Sequence, residues 1–243
     1  MIGELLNSRG GRLNEINDSR SSLCFREKFA ELLLEWWRLN KRDFPWRRTT
    51  DPYKILITEM LLRKTTARQV SGIFDKFFAK FPDANTLAEA RDGEIEAIIR
   101  PLGMEHKRVV LLKKLANELS KRHMGTVPAN SEDLRRLPGV GPYVANAVLC
   151  FAYGKDAPLV DVNAIRVFQR VFGYKSQKRR AKDDTALWNF VAETIPPGRA
   201  RDFNFAIIDF AHEICTPKKP KCALCSLYII CKHANEVRKI EDQ

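Results

Sequence analysis

The sequence predicts an all-α protein. Apolar residues recur at i, i+3 and i+4 along most of its 243 residues, alternating strand-like runs are few, and helix-start residues stand ahead of several periodic stretches. Those stretches run over 25–40, 53–80, 84–99, 105–122, 131–136, 142–153, 162–173, 184–194 and 202–214. Asp51 places a capping carboxylate ahead of Pro52, a residue suited to the first helical position, and Ser131 precedes an acidic first turn at Glu132 and Asp133. Residues 1–22 are polar and are expected to form a flexible N-terminus.

Composition narrows the class. With 44% hydrophobic residues the chain can bury a sizeable core, and 42 Lys and Arg against 30 Asp and Glu leave a net charge of +12. Such an excess suits a protein that meets phosphates, although basic proteins of other kinds share it. The N-terminus lacks an apolar core of signal-peptide length, and no run approaches the roughly 18 apolar residues that span a bilayer. The chain is therefore expected in the cytoplasm and, in a prokaryote, at the nucleoid. A loop carrying Lys175, Lys178, Arg179, Arg180 and Lys182 reads either as a solvated connection or as a nonspecific phosphate contact.

Four of the six cysteines, Cys215, Cys222, Cys225 and Cys231, fall in a C-x6-C-x2-C-x5-C stretch, whereas Cys24 and Cys150 read as inert packing residues. In a reducing compartment this clustering points to metal rather than disulfides. Four thiolates suit either a tetrahedral zinc or an iron-sulfur cluster, and only Cys222 and Cys225 form the short pair usual in zinc knuckles. Residues 137–148, LPGVGPYVANAV, read as a tight turn between two helices. Gly139 and Gly141 permit positive φ there and leave amides near Val140 uncovered, and Pro142 opens the next helix. Uncovered amides at a helix start cradle a phosphate without reading base sequence.

The LPGVG turn, the aspartate of LVDVNAIRV and the cysteine spacing together resemble the helix-hairpin-helix-GPD superfamily of DNA glycosylases, the endonuclease III and MutY group. The resemblance spans about residues 25–235. It implies a two-lobed fold, with a helical bundle over 50–160 and a second lobe joining 23–49 to 161–243, and DNA against the cleft between them. It also implies a [4Fe-4S] cluster on the four clustered cysteines, in a loop whose Lys218 and Lys219 grip DNA backbone.

Asp161 is the expected catalytic carboxylate, although an N-cap role alone explains an aspartate before a helix. Heterolysis of an N-glycosidic bond develops positive charge on the deoxyribose, which a fixed carboxylate stabilises. Tyr143 occupies the position that is lysine in the strand-cutting members, and a phenol cannot form their Schiff base. That tyrosine is similar to the one in Mig-type thymine-DNA mismatch glycosylases of thermophiles, so a monofunctional enzyme acting on G·T or G·U pairs is implied. Glu59, a carboxylate in the apolar run ILITEMLL, is expected to line the base pocket, with an i,i+4 pair to Arg63 as the plain alternative. Arg63 and Lys64 stand where MutY has glutamines and are expected to enter the DNA stack; Lys107 and Arg108 are read as backbone contacts or solvated side chains. The expected partner is duplex DNA with a mismatched base, bound by a monomer. An adenine glycosylase of MutY type and a noncatalytic DNA-binding module are the competing readings.

Overall fold

The computed structural model describes residues 8–241, and their side chains over 23–236. The flexible segment expected over 1–22 thus lies outside the side chains described. All α-helix, with short 3-10 turns and no strand among the described residues, the chain forms two compact units. One comprises Arg42–Leu159; the other comprises the described residues up to Lys41 together with those from Val160 onward.

In the Arg42–Leu159 unit the helices are α2 (Pro52–Leu61), α3 (Ala67–Lys80), α4 (Ala84–Glu89), α5 (Asp92–Ile99), α6 (Glu105–His123), α7 (Ser131–Arg136) and α8 (Pro142–Phe151). Helix α2 is buried on nearly every side, with Ile55, Leu56 and Ile57 in the core, and packs on α8, whose Ala145 and Val148 are also buried. Each such aliphatic side chain contributes about 1.5–3 kcal/mol by leaving water. Asp51 caps α2 as its sequence predicts, accepting from the Tyr53 and Lys54 amides at 2.9 and 3.1 Å.

The other unit holds α1 (Ser8–Asn40), α9 (Val162–Phe172), α10 (Thr185–Thr194), α11 (Ala200–Glu213) and α12 (Lys232–Glu241). Phe29 of α1 sits among Phe168, Phe172 and Phe203, with ring centroids 4.9–6.1 Å apart, and Trp37 Nε1 donates to buried Asp209 at 2.9 Å. Packing of α1 and α9 on α11 thereby fixes the start of α9 and the chain leaving α11.

The helical periodicity runs through breaks that the structure does not. The stretch 53–80 divides at 62–66, where Lys64 takes a left-handed φ of 55° and Thr66 opens α3 in a capping box with Gln69. Likewise 84–99 divides into α4 and α5, and α12 follows a segment assigned no helix from its pattern. Asn130, not Ser131, caps α7 through a 2.9 Å bond from the Asp133 amide. Cys150 is buried as a packing residue would be, but Cys24 is exposed on α1.

Candidate active site

Glu59 lies on α2 and is 7% exposed, and α2 packs against α8, the second helix of the α7–α8 hairpin. The hairpin closes through Val140 N to Leu137 O at 3.1 Å, with both side chains buried as anchors. Gly139 has φ +77°, which favours glycine, and a Cβ there would lie 2.8 Å from Leu111 Cδ1 and Met60 Cε, side-chain ends that would have to shift. Gly141 differs from expectation: its φ is −94° and its ψ −178°, ordinary extended backbone, and a Cβ at this position would meet no atom within 4 Å. What glycine supplies at 141 is therefore open space over the first turn of α8, where Tyr143 is half-buried.

The exposed Arg63 reaches the hairpin, donating from Nη1 to Gly139 O at 3.3 Å. Exposed Lys64 follows it in the left-handed turn. Arg108 is not the surface cation its sequence suggests: it is 7% exposed and its guanidinium donates to Gly103 O, Leu61 O and Arg63 O at 2.8–2.9 Å. Burial, then the nearby Arg63, pulls Arg108 below the usual guanidinium range. Its part is to brace the loop that carries Arg63 and Lys64.

Asp161 belongs to the other unit and caps α9. Its Oδ1 accepts from the Asn163 and Ala164 amides at 2.9 and 2.8 Å, and its Oδ2 accepts from Asn163 Nδ2 at 2.7 Å. Asn163 is held in turn by Arg166, whose Nη2 donates to Asn163 Oδ1 at 3.0 Å and whose Nε donates to Cys215 O at 2.8 Å. One turn on, Arg170 donates to Thr216 O and Pro217 O at 2.7 and 2.8 Å and lies 3.4 Å from Cys215 Sγ. Two arginines of α9 thus pin the cysteine loop to the helix that Asp161 begins. Sequence reasoning missed Asn163, Arg166 and Arg170; the signal available was their recurrence at i, i+3 and i+7 along one side of α9.

Cys215, Cys222, Cys225 and Cys231 line one small pocket together with Phe210, Ile214 and Val171. Burial pushes the Cys225 thiol up to about 12 and raises that of Cys231. Among the described residues no group of three or more His, Cys, Asp or Glu is arranged to hold a metal ion. Lys218 and Lys219 stand exposed on the same loop.

A hairpin of two helices joined by a glycine turn, followed by an aspartate at the next helix start, defines a class of DNA-binding protein. Residues 57–193 match the family described as HhH-GPD superfamily base excision DNA repair protein. The chain belongs to this superfamily. It is similar to a thymine/uracil-DNA glycosylase of Pyrobaculum aerophilum, 49% identical over 82% of this chain and 88% of that one. Similarity to an adenine DNA glycosylase of Schizosaccharomyces pombe is 30%, over 89% of this chain and 51% of that one. Among solved structures, a thermostable thymine-DNA glycosylase superimposes with a TM-score of 0.85 at 40% identity, covering 89% of this chain and 99% of the other.

Proposed function

We propose that this protein is a monofunctional DNA glycosylase that hydrolyses the N-glycosidic bond of thymine or uracil opposite guanine in base excision repair. The observation that carries the reading is the Asp161 carboxylate. It is half-buried, at a helix start, and fixed by three donors before any substrate arrives. As the base departs, positive charge develops on the deoxyribose, and an oriented anion at a helix N-terminus stabilises it without reorganising. Asp161 also serves to position the attacking water.

Tyr143 offers a phenol where a Schiff base would need an amine, so base release proceeds without strand cleavage. Glu59, buried on α2, lines the pocket for the extruded base. The amides of Gly139 and Gly141 bind a backbone phosphate, with the space over Gly141 admitting its oxygens; the Val140 amide, expected uncovered, is instead used to close the turn on Leu137 O. Arg63 and Lys64 support the vacated stack, and Lys218 and Lys219 bind backbone. A mismatched pair lowers the cost of extrusion, normally a few kcal/mol, which favours G·T and G·U over paired thymine. A monomer suffices for this role.

We assign a [4Fe-4S] cluster to Cys215, Cys222, Cys225 and Cys231. The four cysteines line one pocket, and only Cys222 and Cys225 form the short pair usual in zinc knuckles, which favours the cluster over a single zinc. When bound, the cluster ties the loop together and supplies no step of hydrolysis.

The test is base release from duplexes carrying G·T, G·U, oxidised G·A or undamaged pairs, followed by alkali. Alkali-dependent cleavage at G·T and G·U is the expected result. No product from any duplex, or product only from the adenine duplex, would overturn the reading, and breaks without alkali would remove the monofunctional assignment. An iron-sulfur absorption band is expected for the purified protein; zinc alone by elemental analysis would refute the cluster.

A further inference from the structure

The twelve residues 173–184 joining α9 to α10 are longer than the usual 2–8-residue connection between packed helices. Lys175, Lys178, Arg179, Arg180 and Lys182 are all exposed on them. Asp183 pairs with Arg180 at 2.6 Å, whereas the other four form no ion pair among the described residues. Crowded like charges repel and ordinarily leave a loop loose.

This loop is instead built. Asp184, 5% exposed, accepts from Ser176 Oγ at 2.7 Å, Tyr174 Oη at 3.0 Å and the Ala186 amide at 3.1 Å. Those hydroxyls, Ser176 first, hold the carboxyl below the usual range, so it remains ionised at neutral pH. Tyr174 stacks on Phe190, Trp188 Nε1 donates to Lys182 O at 2.9 Å, and Asp183 N donates to Arg180 O at 2.9 Å. One further cation stands at the same end of α9. Lys232 lies against Gly173, where a Cβ would sit 2.9 Å from its Cδ and 3.6 Å from its Nζ.

We propose that residues 174–184 form a preorganised clamp for the phosphate backbone of duplex DNA, separate from the hairpin and the cysteine loop. A frame that fixes the backbone carrying the cations lowers the ordering cost of bringing them to phosphates. Placing the clamp on the duplex rests on the glycosylase reading. Helix α9, at 11 residues, is about 16 Å long. With the reach of a lysine added, the clamp meets phosphates within about seven base pairs of the nucleotide whose sugar faces Asp161, at about 3.4 Å per base pair.

The experiment compares the parent with K175Q/K178Q/R179Q/K182Q in binding an undamaged duplex between about 50 and 200 mM salt. Each phosphate that the protein no longer neutralises lowers the slope of log K against log salt by about 0.9, so a fall of about 2–3 and about tenfold or more weaker binding at low salt are expected. Single-turnover base release at saturating enzyme should stay within about twofold, since the clamp touches no reacting group. An unchanged slope, or binding at low salt within about twofold of the parent, would overturn the proposal. Because binding is read on undamaged DNA, its outcome stands whether or not the parent releases thymine.

Discussion

Asp161 and Asp184 begin consecutive helices of the same unit and look alike in local terms. Each is an aspartate N-cap in extended backbone, and each accepts from amides of the first turn. Their surroundings divide them. Asp184 is buried, and its second oxygen is consumed by two hydroxyls of its own loop. Asp161 is half-exposed, its Oδ2 accepts from Asn163 alone among the described residues, and the frame behind it runs through Arg166 to Cys215 O. A capping carboxylate with an accessible oxygen and a second layer of support is equipped to meet a substrate. One whose oxygens are used up is equipped to hold a loop.

The largest expected effect separates the two directly. Asp161→Asn should lower single-turnover base release by about 10²–10³-fold or more, because a neutral amide cannot stabilise the developing cation. Asparagine caps helices as well as aspartate does, so Tm and duplex binding should change little. Asp184→Asn should leave the rate intact. Equal loss of rate in both variants would erase the distinction.

Next in size is the frame behind Asp161. Arg166→Met keeps much of the side-chain volume but removes the donors to Asn163 and Cys215. Base release at saturating DNA should fall about tenfold, with a smaller change in duplex affinity, as expected for a residue that positions the carboxylate's partner. Tyr174→Phe, which removes one donor to Asp184, is the matched control and should leave base release unchanged. A loss confined to affinity in Arg166→Met would assign that arginine to the cysteine loop alone.

These frames mark where the sequence stopped being legible. Caps at Asp51 and Asp161, the hairpin and the cysteine spacing are local patterns, set by residues within a turn or two of one another. The break at 62–66 is not: Lys64 interrupts a nearly continuous apolar pattern, and the loop is braced by Arg108 from 45 residues away. Arg108 reads as a DNA-backbone contact or a solvated side chain and Arg166 and Arg170 draw no reading, because arginine is usually at the surface; only tertiary packing shows that all three donate to distant carbonyls. Helix α12 escaped notice because KHANEVRKIE carries few apolar residues to set a period.

The hairpin gives a second matched pair with a smaller effect. Gly139→Ala forces a side chain into positive φ and against Leu111 and Met60, and should cost about 1–3 kcal/mol of stability. Gly141→Ala meets no protein atom within 4 Å and has unstrained backbone, so stability should shift by no more than about 0.5 kcal/mol. Duplex affinity should nevertheless fall, since the added methyl enters the space left for a phosphate. Denaturant melts together with binding isotherms separate the two, and unaltered binding by Gly141→Ala would take the phosphate away from that turn.

The smallest effect returns to Asp184 and is read through pH. Its pKa is lowered in the folded state, so its contribution to stability is complete above the unfolded value of about 4 and is lost as pH falls through the folded value. Asp184→Asn should therefore melt below the parent at pH 7, and the gap should close under acid. The variant also gains one positive charge, which by Coulomb attraction alone would tighten DNA binding. If the clamp depends on its frame, affinity for undamaged duplex should instead weaken at neutral pH. Tighter binding in this variant would mean that the cations of 175–182 act by charge alone, without the geometry that Asp184 imposes.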